Sequence, residues 1–185
     1  MAREYAPGAQ LVYNDYMAPR AGDAAHRAGV LKLLESLKAR GTPINALGLQ
    51  SHISAADAMA GPGGGKQAEL AWRGFLDEVT GMGYELLITE FDVNDRDLPA
   101  DCAMRDAGAA ALARDYLDVT LSYRCCRDML LWGMADHVSW LREWKAAQRA
   151  DGLPQRSTPF DGRLQDKPMR HAIVAALNGM PDRAN

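Results

Sequence analysis

The stretch "LLITEFDV" (86–93) is an apolar, strand-like run that closes on two carboxylates, Glu90 and Asp92. Residues two apart on a strand share a face. Neighbouring carboxylates repel, and each resists burial, so the pair needs either a partner or a chemical task. The other strand-like runs end the same way. "AQLVYNDY" (9–16) closes on Asn14, Asp15 and Tyr16, and "INALGLQSHI" (44–53) on Gln50 and His52. "DMLLWGM" (128–134) carries Trp132, with Asp136, His137 and Trp140 in the segment beyond. Polar groups recurring at the carboxyl ends of successive strands are where α/β proteins build ligand sites. The chemistry on offer is carboxylate, imidazole, amide and indole. Indole faces pack on the apolar faces of pyranose rings, and carboxylates serve glycoside hydrolysis.

Other chemistries find no support. "GPGGGK" (61–66) lacks the spacing of a phosphate-binding loop and does not directly follow a strand. No Gly-x-Ser-x-Gly elbow is present. Cys102, Cys125 and Cys126 form neither a disulfide framework nor a metal-ligand spacing, and read as small buried or half-buried residues. No metal and no cofactor is expected.

The elements that must carry these residues alternate. A helix over 22–41 is expected, with Asp23 capping its start, Val30, Leu33, Leu34 and Leu37 on one face, and Gly41 as its stop. A glycine-rich loop (Gly61, Gly63, Gly64, Gly65) leads to a second helix built on Trp72, Phe75, Leu76 and Val79. A third covers about 104–123, with Leu112, Tyr116, Val119 and Tyr123 as its buried stripe, and a last helix spans 167–178. Four strands alternating with four helices predict an α/β fold with a parallel sheet, its strands covered on both faces. Half of an eight-fold barrel and a small open doubly wound sheet both satisfy that order. The whole of 1–185 reads as one domain.

With 185 residues, 48% hydrophobic and 24% charged, the chain is long enough for a real core. The net charge of −3, without a Lys/Arg block, argues against nucleic acid or an anionic membrane as partner. No run is long enough to span a bilayer. The start "MAREYAPGAQ" has no apolar segment of the kind a signal peptide needs. A cytoplasmic chain, or a mature piece of a longer precursor, is expected.

"LVYNDYM", "GLQSHIS", "LLITEFDV", "LLWGMADHVSWL" and "PFDGRLQDKPMRHAIVAAL" resemble, in order and separation, the second half of glycoside hydrolase family 10, the endo-β-1,4-xylanases. The resemblance runs from about Ala2 to Leu177. It implies strands five to eight of a (β/α)8 barrel and a retaining hydrolase acting on xylan or xylo-oligosaccharide, secreted or periplasmic. By motif, Glu90 is the nucleophile, with His52 holding it and Asp92 behind. Asn14, Tyr16 and Gln50 match polar positions near the cleft; Trp132 and Trp140 match walls of the sugar subsites. Asp136 and His137 belong to the same segment.

The family's general acid/base glutamate sits on its fourth strand, outside the matched half. The remaining glutamates, Glu4, Glu35, Glu69, Glu78, Glu85 and Glu143, do not sit at strand carboxyl ends. A half barrel also has two open edges. Completion is therefore expected from a second copy of the chain, a homodimer in which Asp136 or His137 of one chain approaches Glu90 of the other, or from an N-terminal half-barrel. Without completion, the residues imply a xylo-oligosaccharide-binding half site that does not cut.

Overall fold

A computed structural model of the chain describes residues 2–59 and 65–182. After a short helix, α1 (Ala2–Tyr5), come β1 (Val12–Asp15), α2 (Ala24–Ala39), β2 (Ala46–Leu49), β3 (His52–Ser54), α3 (Gly65–Gly81), β4 (Glu85–Asn94), α4 (Cys102–Thr120), β5 (Cys126–Leu131) and α5 (Pro168–Asn178). The strands form one sheet, ordered β1–β2–β4–β5, with β3 joining β4 beyond the end of β2. Every pairing is parallel. Residues 61–64 of the glycine-rich "GPGGGK" stretch lie outside the described residues.

The helices follow their apolar spacing. Trp72, Phe75, Leu76 and Val79 are the buried face of α3, as the pattern predicts. Trp72 stacks on Phe75 and leans on Tyr116 of α4, and Phe91 of β4 stacks on the same tyrosine. In α2, Val30 and Leu34 are fully buried, whereas Leu33 and Leu37 are only half-buried. Asp23 occupies the cap position but caps nothing: its carboxylate accepts from the Ala18 amide and from Arg20 instead. Of the cysteines, Cys126 is buried and Cys125 half-buried, but Cys102 is exposed in the first turn of α4.

The strand expected over 44–53 is two strands. Ser51 lies between them at φ 65°, where a residue with a Cβ costs on the order of 1–3 kcal/mol unless its surroundings hold it. They do. Its hydroxyl donates to the Leu49 carbonyl (3.0 Å) and meets the Tyr116 hydroxyl (2.7 Å), all out of solvent. β4 answers the break with a bulge. It advances four residues, Ile88 to Asp92, while the facing backbone advances three, Leu49 to His52. Against β5 it advances three, Ile88 to Phe91, for two, Met129 to Leu131. The extra residue falls at Thr89–Glu90, and such bulges re-aim side chains at active sites.

β5 departs from the doubly covered strand that its apolar letters predict. Only Cys126 is fully buried, and Arg127, Asp128 and Leu130 are exposed. Leu130, Trp132 and Met134, spaced by two, are each about half exposed (50%, 48% and 52%). Among the described residues nothing covers this face, and β1 and β5 are the sheet margins.

Candidate active site

The bulge solves a problem of aim. In a regular strand Thr89 and Glu90 point to opposite faces. Here both engage Asn14 of β1. Thr89 Oγ1 donates to Asn14 Oδ1 (2.7 Å), which fixes the amide so that Asn14 Nδ2 donates to Glu90 Oε1 (2.9 Å). Gly48 of β2 makes room for this. A Cβ there would stand 2.5 Å from Asn14 Oδ1, 3.0 Å from Val12 Cγ1 and 3.1 Å from Thr89 Cγ2.

Glu90 Oε2 meets His52 Nε2 at 3.3 Å, and His52 Nδ1 meets Asp92 Oδ1 at 3.0 Å. The second oxygen of Asp92 accepts the indole N–H of Trp140 at 2.7 Å. Ionised carboxylates only accept, so with both acids charged each ring nitrogen must donate, which requires the imidazolium form of His52. In that form a cation lies between the two carboxylates and offsets their repulsion. Burial works against charge on His52, but the hydrogen bonds and charges of Asp92 and Glu90 outweigh it and raise its pKa. Burial likewise pushes Asp92 above the usual carboxylate range, opposed by the donors from His52 and Trp140. Both directions express one strongly held proton in the trio.

The cluster opens on a cleft of about 430 Å³. Tyr16, Gln50, His52, Asp92 and Trp140 line it, together with Arg20, Ser54, Asn94, Arg96 and Trp144. Trp140 and Trp144 stack at 5.0 Å and 16°, the His52 ring packs 4.9 Å from Trp140, and Trp132 stands edge-on to His52 at 6.5 Å. Tyr16, 63% exposed, leans on His26 at 4.6 Å, and Asp15 holds both through the Tyr16 amide (2.7 Å) and His26 Nε2 (3.1 Å). The result is an aromatic-walled trough with a carboxylate at its floor, suited to a sugar chain.

The structure does not bring Asp136 and His137 into this group. Asp136 is 4% exposed, and its carboxylate accepts from Lys167 Nζ (3.1 Å to each oxygen) and from the amide and hydroxyl of Thr158. Its role is to anchor the segment that follows β5, and a carboxylate so held cannot reach across to a second copy. His137 lies exposed in the adjoining turn. Trp144, Thr89 and the two arginines were not expected. Trp144 had a signal, since it stands four residues after Trp140, a spacing that shares a face on a helical turn.

Among the described residues no cluster of His, Cys, Asp and Glu is placed to hold a metal, and no helix is long and apolar enough to cross a membrane.

Parallel βα units with an acid–imidazole–acid cluster at the strand carboxyl ends are the architecture of βα-barrels. The sequence profile of glycosyl hydrolase family 10 matches residues 1–176, and the chain belongs to that family. Endo-1,4-beta-xylanase B of Neocallimastix patriciarum is 30% identical over 176 residues, covering 95% of this chain and 17% of that protein. Xylanase 10B of Thermotoga maritima superposes with a TM-score of 0.77 at 25% identity, over 96% of this chain and 49% of its own. A xylanase of Thermoanaerobacterium saccharolyticum, solved as a mutant in complex with xylotetraose, gives 0.73 at 26% identity, over 94% and 46%. The chain thus spans about half the length of these solved relatives, and its fold is half of their barrel.

Proposed function

We propose that this half-barrel carries the nucleophile side of a retaining β-1,4-xylan hydrolase, with Glu90 attacking the sugar's anomeric carbon. The single observation behind this is the doubly held carboxylate. Asn14 fixes one oxygen of Glu90 and His52 the other, while Asp92 and Trp140 hold His52 from behind. Such fixing suits attack from a set direction. Trp140, Trp144, Trp132 and Tyr16 then provide faces for xylose rings, with Gln50 among the polar groups.

A retaining mechanism needs a second carboxyl group roughly 5 Å away to protonate the leaving oxygen. Among the described residues the other glutamates lie on α1, α2 and α3, at the start of β4 and after the Trp140 turn. The acid is therefore assigned to whatever closes the barrel against β1 and β5: four complementary βα units, or a second copy. Without that closure, the same trough favours a second reading as a xylo-oligosaccharide-binding half site.

An activated 2-fluoro aryl xylobioside separates these readings, because its leaving group needs little acid help. The expected result is a covalent adduct on Glu90, absent in Glu90→Gln. Calorimetric binding of xylohexaose without any adduct leaves the binding reading; neither adduct nor binding rejects both. Sedimentation tests closure: a stable monomer at micromolar concentration, unchanged by an added N-terminal half, refutes it.

A further inference from the structure

We infer that the buried hydroxyl of Tyr116, on α4, is a positioning group for the trio of His52, Glu90 and Asp92: by locking the Ser51 kink it sets His52 opposite Asp92 and so aims Glu90. The consequence for chemistry rests on the reading of Glu90 as the nucleophile. The strand register shows what the kink does. Leu49 stands opposite Ile88, and His52 opposite Asp92. Were residue 51 to relax into the extended region, the register of β2 would continue and His52 would face Phe91 instead. Its ring would lose Asp92 (3.0 Å) and Glu90 (3.3 Å) together. Extended backbone is the cheaper state for a residue with a Cβ, and Ser51 is held at φ 65° against that preference.

The hold is a chain of hydroxyls. Ser51 Oγ gives its one proton to the Leu49 carbonyl (3.0 Å), so the Tyr116 hydroxyl, 2.7 Å away, is the donor to Ser51. Burial pushes the Tyr116 phenol up, so it keeps that proton. The ring cannot drift: it is 2% exposed, stacked on Phe91 at 6.1 Å and tilted on Trp72 at 5.9 Å. The Ser51 carbonyl meanwhile accepts the Asp92 amide at 3.4 Å. The Leu49 carbonyl also lies 3.2 Å from Thr89 Oγ1, which fixes Asn14 and, through it, the other oxygen of Glu90. Both holds on Glu90 therefore meet at the kink. Core packing alone does not need the hydroxyl, because a phenylalanine at 116 would keep both ring contacts.

The test reads two signals on the full chain: the rate of Glu90 labelling by the activated 2-fluoro aryl xylobioside, and the titration of His52 by imidazole NMR. Tyr116→Phe removes the donor, and Ser51→Ala removes the accepting hydroxyl but keeps the strain. Each should slow labelling about tenfold and draw His52 down from its raised pKa. Glycine adopts positive φ without strain. Ser51→Gly/Tyr116→Phe should therefore label within about threefold of wild type and titrate as wild type does. Labelling and titration unchanged in Tyr116→Phe, or a glycine double variant as slow as Tyr116→Phe, overturns the inference and leaves Tyr116 a residue of the core alone. Should Tyr116→Phe not fold, Ser51→Ala against Ser51→Gly carries the same test, and equal labelling and titration in those two overturns it. If wild type takes no label, the nucleophile reading fails, and the titration alone decides whether Tyr116 positions His52.

Discussion

Gly48→Ala perturbs the site by one methyl group placed where the fold has no room. The new Cβ would stand 2.5 Å from Asn14 Oδ1, a distance that ordinary contacts do not allow. Asn14 cannot escape by turning its amide over, because that would aim Oδ1 at the Glu90 carboxylate and put Nδ2 into the same 2.5 Å conflict. It must instead move off, and its hydrogen bond to Glu90 goes with it. Overpacking costs about 1–3 kcal/mol. The lost bond to a charged group adds up to about 1.5 kcal/mol, discounted because the contact is exposed. A total near 2–3 kcal/mol is expected in urea unfolding. The decisive form is a double-mutant cycle with Asn14→Ala. Removing the amide abolishes the 2.5 Å conflict but leaves the contacts with Val12 at 3.0 Å and Thr89 at 3.1 Å. Gly48→Ala should therefore cost about 1 kcal/mol or less in the Asn14→Ala background, a coupling of about 1–2 kcal/mol. Labelling of Glu90 by the activated xylobioside should slow at least tenfold in Gly48→Ala. An equal stability cost in both backgrounds would refute the claim that Gly48 exists for Asn14.

Glu90, Asp92 and His52 were legible because strand period and strand end are local signals: residues two apart share a face, and a carboxyl-end acid stands out from apolar letters. The alternation of elements likewise gave the parallel sheet. What stayed hidden is non-local. The bulge at Thr89–Glu90 changes no letter of the strand and exists only against the counts on β3 and β5. Ser51 tolerates its left-handed backbone because Tyr116, 65 residues on, meets its hydroxyl. Asp136 reads as a polar loop residue beside tryptophans, and only Lys167, 31 residues later, turns it into a buried anchor. Gly48 looks like an unremarkable gap in a strand until Asn14 of the neighbouring strand is laid over it. The exposure of β5 was illegible for another reason: "MLL" is apolar whether or not anything packs on it.

Lys167→Met should destabilise the chain by about 3 kcal/mol, because it leaves the buried Asp136 carboxylate without its hydrogen-bonded cation and with only Arg156, at 3.8 Å, beside it; adding Asp136→Asn should recover more than half, and no recovery would show that the pair is not the source. Trp140→Phe keeps the ring but removes the donor to Asp92 Oδ2, with an expected cost of about 1–3 kcal/mol; a change under 0.5 kcal/mol would show that water replaces the indole. His26→Ala frees the Tyr16 ring while leaving the Glu90 cluster untouched, so xylohexaose affinity should fall about threefold with no change in Glu90 labelling; slower labelling would contradict that division. His52→Gln tests the imidazolium through pH. Folded His52 keeps its proton to higher pH than the ordinary 6.5, held by Asp92 and Glu90 against its own burial. A group with a raised folded pKa stabilises fully below its unfolded value, and that stability is lost as pH rises through the folded one. The stability gap between wild type and His52→Gln, measured by urea unfolding, should therefore be widest below about pH 6.5 and close steadily above it. Glutamine cannot take the proton, so a gap that stays constant from about pH 6 to 9 would mean His52 sits neutral between two acids, and one of them, not the ring, carries the proton.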